Sequence, residues 1–137
     1  MSSIIYPDRN SLKQWADALR RPAVFSMEDL PDFNEEWLDN IMMTFDLIKM
    51  PHYSEVIHHK GAHLFYKIAK NHHFINGNKR SAVIVLYFFY FINGFAILNN
   101  PNEMLDIARA TVESDSKENE QEIIKLEKIL KNISKKL

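Results

Sequence analysis

Cysteine is absent from the 137 residues, which removes disulfides, thiolate nucleophiles and thiolate metal ligands together and fits a reducing compartment. Glycine and proline are scarce as well. Three glycines and five prolines cannot supply the many tight turns of an all-β fold, so long helices are expected. Neither sign of charge dominates: the formal net charge is -1, which gives a nucleic-acid partner no electrostatic support in the bulk composition. The Arg20-Arg21 pair reads as the end of a helix. No apolar run is long enough for a membrane either. The longest, "AVIVLYFFYFI" at residues 82–92, is about half the roughly 20 residues needed to span a bilayer, so it is a core element. The opening "MSSIIYPDRN" lacks the basic region and apolar run of a secretion signal. The expectation is a cytoplasmic protein that does not engage a membrane.

What is present is the balance of an ordinary globular protein, 46% hydrophobic and 26% charged. The length implies one domain spanning residues 1–137 with a core of its own. Helix signals follow in series. Ser11 and Gln14 have the form of a capping box opening "LKQWADALR", with Trp15 and Leu19 at helical spacing. Asp32 and Glu35 repeat that form before a segment in which Trp37, Ile41, Phe45 and Ile48 share one face. Pro51 closes that helix, and another begins after it with Val56, Leu64, Phe65 and Ile68 on its buried side. Gly61 within it costs about 1 kcal/mol of helix propensity, so either the helix tolerates the glycine or something packs closely there. Asn100, Pro101 and Glu103 supply a cap, a first helical residue and a third-position acid for the next helix. In the last segment Ile123, Leu126, Leu130, Ile133 and Leu137 predict a helix reaching the final residue. Residues 82–92 are ambiguous by propensity, being β-branched and aromatic. Their length and the preceding Gly-Asn turn favour a helix buried on all sides.

Chemistry concentrates just before that segment, in "HHFINGNKR" at residues 72–80. Gly77 and Asn78 would lie at the helix N-terminus, where backbone amides and the positive end of the helix dipole attract anions. Glycine permits close backbone approach and asparagine tolerates left-handed conformations, so successive amides can form a nest for phosphate. Lys79 adds a mobile point charge, and Arg80 a planar fork that can hold two phosphate oxygens. His72, on the approach to this turn, is the side chain best able to accept a proton near neutral pH and reads as a general base. Phe74 would anchor the loop in the core and fix the histidine's position.

These residues resemble the signature of the Fic/Doc (Fido) family, H-x-F-x-(D/E)-G-N-(G/K)-R. His72, Phe74, Gly77, Asn78, Lys79 and Arg80 match it. More loosely, "SAVIVLYFFYFINGFAI" is similar to the "NKRTA…NG" continuation of Doc-type (death-on-curing) members. The resemblance implies an all-α fold, a helical bundle around a buried central helix. It also implies transfer of part of a nucleoside triphosphate to a protein hydroxyl. Nucleotidyl-transferring members move AMP; Doc-type toxins move the terminal phosphate to a translation factor and pair with an antitoxin. Carried over, His72 would deprotonate the Ser, Thr or Tyr hydroxyl of the target protein. Gly77, Asn78 and the helix start would hold the phosphates of ATP or another NTP, with Lys79 and Arg80 stabilising their charge.

The pattern departs from the family at two positions. Asn76 stands where the family usually has an acid that binds Mg²⁺, and a neutral amide is a poorer ligand for a hard dication. Val83 stands where nucleotidyl-transferring members often carry a second arginine. With Lys79, this places the motif nearer the Doc-type phosphotransferases. The alternatives are nucleotidyl transfer, or a degenerate domain that binds nucleotide or partner without catalysis because of Asn76. Some members are inhibited by a helix bearing (S/T)-x-x-x-E-(G/N); Ser114, Glu118 and Asn119 fit that pattern near the C-terminus, opposite a missing second arginine.

Glu55, His59 and His63 recur every four residues and would stack on one helix face, where His-x-x-x-His can bind Zn²⁺. The glutamate that metalloproteases place beside the first histidine is missing, so a wet helix face with incidental histidines is the preferred reading.

Overall fold

Six α-helices and two three-residue strands make up the described part of the computed structural model, which covers residues 4–18, 34–50, 56–70, 78–113 and 119–137. They run in the order α1 (Arg9–Ala18), α2 (Glu35–Ile48), α3 (Ile57–Lys70), α4 (Asn78–Ile92), β1 (Phe95–Ile97), α5 (Pro101–Glu113), α6 (Asn119–Ile133) and β2 (Ser134–Lys136). The all-α class expected from the sparse glycines is the class observed. No described helix is long and apolar enough to cross a membrane.

Local chemistry sets where the helices begin. α1 starts two residues before Ser11, because Asp8 takes the cap: its Oδ1 accepts from the Ser11 amide at 2.7 Å. The amide and hydroxyl of Ser11 hold the Asp8 carboxyl below its ordinary range. α2 is capped by Asn34, whose Oδ1 accepts from the Trp37 amide at 2.9 Å; Asp32, the expected cap, lies outside the described residues. α5 begins with the capping box read from the sequence. The Glu103 amide donates to Asn100 Oδ1 and the Asn100 amide to Glu103 Oε1, both at 2.9 Å.

α4 is the centre of the bundle. Arg80 to Leu86, together with Phe88, Phe89 and Tyr90, are buried, and α1, α3 and α5 all pack on it. Burial is not complete all round, since Phe91 is 58% exposed. α3 runs antiparallel to α4. Its Gly61 lies against the end of α4, where an added Cβ would come within 2.7 Å of Tyr90 Cε1, so close packing explains the helical glycine. Leu64, Phe65 and Ile68 are buried as their spacing predicts, but Val56 is half exposed. It precedes the helix and contributes its carbonyl to the amides of His59 and Lys60. α5 returns antiparallel to α4 as well: Tyr87, late in α4, donates to the Asn99 carbonyl at 2.6 Å just before α5 begins. Burial and the Glu103 carboxylate push this tyrosine's pKa up to about 12.

The last helix departs from expectation. It stops at Ile133, and residues 134–136 pair antiparallel with β1 in the register Phe95↔Lys136, Ala96↔Lys135 and Ile97↔Ser134. Leu98 N donates to Ile133 O at 2.7 Å and Leu137 N to Gly94 O at 2.8 Å, bracketing the pair. Gly94, at φ +81°, makes the turn that delivers β1. Ser134 Oγ bonds back to Leu130 O at 2.6 Å, closing the final helical turn. Leu137, predicted on the apolar stripe, is 74% exposed. The stripe of α6 is therefore Ile123, Leu126 and Leu130, all buried.

Candidate active site

Asn78, Lys79 and Arg80 form the first turn of α4. The segment carrying His72, Phe74, Asn76 and Gly77 lies outside the described residues, as do Ser114 and Glu118. Asn119 is the first residue of α6. Of the sequence-derived site, the described part is thus Asn78, Lys79 and Arg80, which sit at the leading end of the buried central helix. There, first-turn amides have no carbonyl one turn back within the helix, and the helix dipole is positive.

Lys79 is partly exposed, whereas Arg80 is buried at 3% exposure. Burial lowers the Arg80 pKa from its ordinary value, and Arg109 lowers it further. A guanidinium so placed remains charged at neutral pH, but both influences disfavour its charge, and a bound anion would relieve both. Arg109 reaches this neighbourhood because α5 runs back along α4. It also pairs with Asp106 on its own helix, Nη1 to Oδ1 at 2.8 Å. Sequence reading missed Arg109, since only the antiparallel return of α5 brings it alongside Arg80. Val83, one turn beyond Arg80, is fully buried and presents no cation.

Two tryptophans hold α4 by hydrogen bonds. Trp37 Nε1 donates to Ser81 Oγ at 2.9 Å between fully buried side chains. Trp15 Nε1 donates to the Ile84 carbonyl at 3.0 Å, and its ring stacks on Phe88 and Phe91 with centroids 5.1 Å and 5.8 Å away. Both tryptophans were legible as apolar helix positions; their N–H partners on another helix were not.

At the start of α3, beside the trailing end of α4, His58 Nδ1 lies 2.9 Å from Tyr90 Oη. The histidine ring also meets Phe95 edge-on, with centroids 5.7 Å apart. Burial pushes the His58 pKa down; Glu127 opposes that shift and Lys131 reinforces it. Burial also pushes the Tyr90 hydroxyl well up. His59 Nδ1 sits 3.2 Å from Glu127 Oε2, and its ring is 4.7 Å from that of His63. Glu55 lies outside the described residues, and among these residues no group of three His, Cys, Asp or Glu side chains could hold a metal. His59 instead links α3 to α6.

Lys60 is fully buried and donates to the Ile48 carbonyl at 2.6 Å. Its ammonium therefore meets the negative C-terminal end of α2, so this buried charge is accounted for by structure.

Comparison with known proteins yields a family match. The family model described as the Fic/DOC family aligns with residues 15–90, more than half of the chain, and includes the whole of residues 72–80. No curated protein matches the chain, and no solved structure does.

Proposed function

Because the chain belongs to the Fic/DOC family, whose members are transferases acting on proteins, we propose that it moves the terminal phosphoryl group of ATP or another NTP onto a Ser, Thr or Tyr hydroxyl of a target protein. A Doc-like toxin, with a translation factor as target and an antitoxin as partner, is the setting we assign to this activity. The observation that carries the reading is Lys79 and Arg80 in the first turn of a buried helix. Backbone amides, dipole and two cations converge there on whatever anion arrives. Val83 supports phosphoryl over nucleotidyl transfer, because no second arginine extends the clamp along α4.

In this mechanism His72 Nδ1 or Nε2 takes the proton of the target hydroxyl as its oxygen attacks the γ-phosphorus. The bond from that phosphorus to the oxygen bridging the β-phosphate breaks, and the nucleoside diphosphate leaves. Gly77 and Asn78 hold the phosphates through backbone amides. Arg80 holds two oxygens, and Lys79 offsets charge as it shifts to the leaving group. Mg²⁺ would enter with the nucleotide. The chain's own donors fit it poorly, with an amide at Asn76 and no acidic or histidine cluster among the described residues, so no step here depends on it.

Asn76 favours a second reading, in which the domain binds nucleotide or partner without turnover. Incubation with Mg²⁺ and ATP labelled at the γ or the α position, in the presence of cell lysate, tests both. Protein labelled from the γ position is the expected result. Label from the α position would replace phosphoryl with nucleotidyl transfer, and ATP binding without label from either would leave the non-catalytic reading.

A further inference from the structure

We infer that Trp37 is a positioning residue for the anion-binding turn, acting through Ser81. This inference rests on the reading of the α4 leading end as a phosphate cradle.

Ser81 directly follows Lys79 and Arg80 and is the fourth residue of α4. Its hydroxyl and the Trp37 indole are fully buried and bonded at 2.9 Å. A buried indole N–H whose acceptor is a buried hydroxyl oxygen strongly prefers one relative placement, because sliding either helix would leave that N–H without its acceptor. Trp37 is itself fixed. Its amide donates to the α2 cap, Asn34. On the outside of the same turn, Arg9 of α1 pairs with Glu35 and Asp39.

A continuous set of contacts therefore runs from the start of α2 to the start of α4. A cradle made of backbone amides depends on such placement, since amides cannot re-aim as side chains do and catalytic groups tolerate errors of only about 0.5 Å. The bond made by Trp15 provides a contrast. It reaches the Ile84 carbonyl, three residues further into the helix, and braces the shaft rather than the tip.

Hydrogen exchange and ATP binding on the full chain separate these roles. In Trp37→Phe, and independently in Ser81→Ala, the amides of Arg80, Ser81 and Ala82 should exchange about tenfold faster, and the ATP dissociation constant should rise by a similar factor. Trp15→Phe should lower the melting temperature while leaving ATP affinity within about twofold of wild type. The double variant Trp37→Phe, Ser81→Ala removes both polar partners. It should regain thermal stability but not ATP affinity, whereas recovery of both together would make the bond purely structural and overturn the inference. Unchanged exchange at residues 80–82 in both single variants would overturn it too. Should wild type bind no ATP, the cradle reading fails by that result alone, and the exchange data still decide whether Trp37 fixes the turn.

Discussion

The first turn of α4 carries Asn78, Lys79 and Arg80, while its last turn carries Phe89, Tyr90, Phe91 and Ile92. At the trailing end Tyr90 fills the space over Gly61 and bonds His58. Asn93 adds three hydrogen bonds there, to both backbone groups of Ile5 and to the Phe89 carbonyl. At the leading end, a buried guanidinium and its neighbour Arg109 repel one another. One end of a single helix thus concentrates stabilising contacts, and the other concentrates basic side chains. On the function proposed, stability and binding are drawn from different turns, so substitutions should separate them.

The largest effect is expected from His72→Ala. Transfer to protein should fall about 10²- to 10⁴-fold with the melting temperature unchanged, as measured by label transfer beside a thermal scan. A variant that keeps its activity would remove the base from the leading end. Asn76→Asp should act in the opposite direction, raising the transfer rate by about tenfold and lowering the Mg²⁺ concentration needed, because a carboxylate is the better ligand for a hard cation. A Mg²⁺ titration with the same rate and midpoint as wild type would reject that explanation.

At the trailing end, Gly61→Ala sharpens the comparison. The added methyl collides with a fully buried ring, which costs about 1–3 kcal/mol, and the gain of about 1 kcal/mol in helix propensity only partly offsets it. Urea unfolding should show a net loss of up to about 2 kcal/mol, with ATP affinity unaltered.

The smallest effect is the pH response of His58. Its folded pKa lies below the ordinary 6.5, so the unfolded chain takes up the proton more readily. The stability it contributes is complete above about pH 6.5 and is lost as the pH falls through the folded value. The groups facing it are Tyr90 from α4, Phe95 from β1, and Glu127 and Lys131 from α6. His58→Gln should flatten this part of the stability profile between about pH 7.5 and about pH 5.5. Parallel wild-type and variant profiles would assign the pH response to other groups.

Features with local causes were legible in the sequence. The box of Asn100 and Glu103 depends on residues three apart, and the apolar face of α2 on helical spacing. The family signature lies within nine consecutive residues, and the family match confirms the membership it suggests. Features with distant causes were hidden. A helix could not be told from a strand at residues 134–136 without knowing that β1 waits beside them. The reason for Gly61 is a tyrosine on the next helix, and the neighbour of Arg80 arrives from α5. Asp8 was overlooked because Ser11 offered an equally good local pattern, and which of two caps wins depends on where the rest of α1 docks. The role of His72 rests on its chemistry and on the signature, and that of Asn76 on the signature, since both fall outside the described residues.

The amide of residue 137 and both backbone groups of residue 5 bond to the Asn93–Gly94 turn, so the two extremities of the described chain meet at one place. The 15 residues of α4 separate that place from the basic tip by about 22 Å. A fluorophore attached at position 137 would therefore report on the trailing end of α4 from a distance at which it touches nothing at the basic tip.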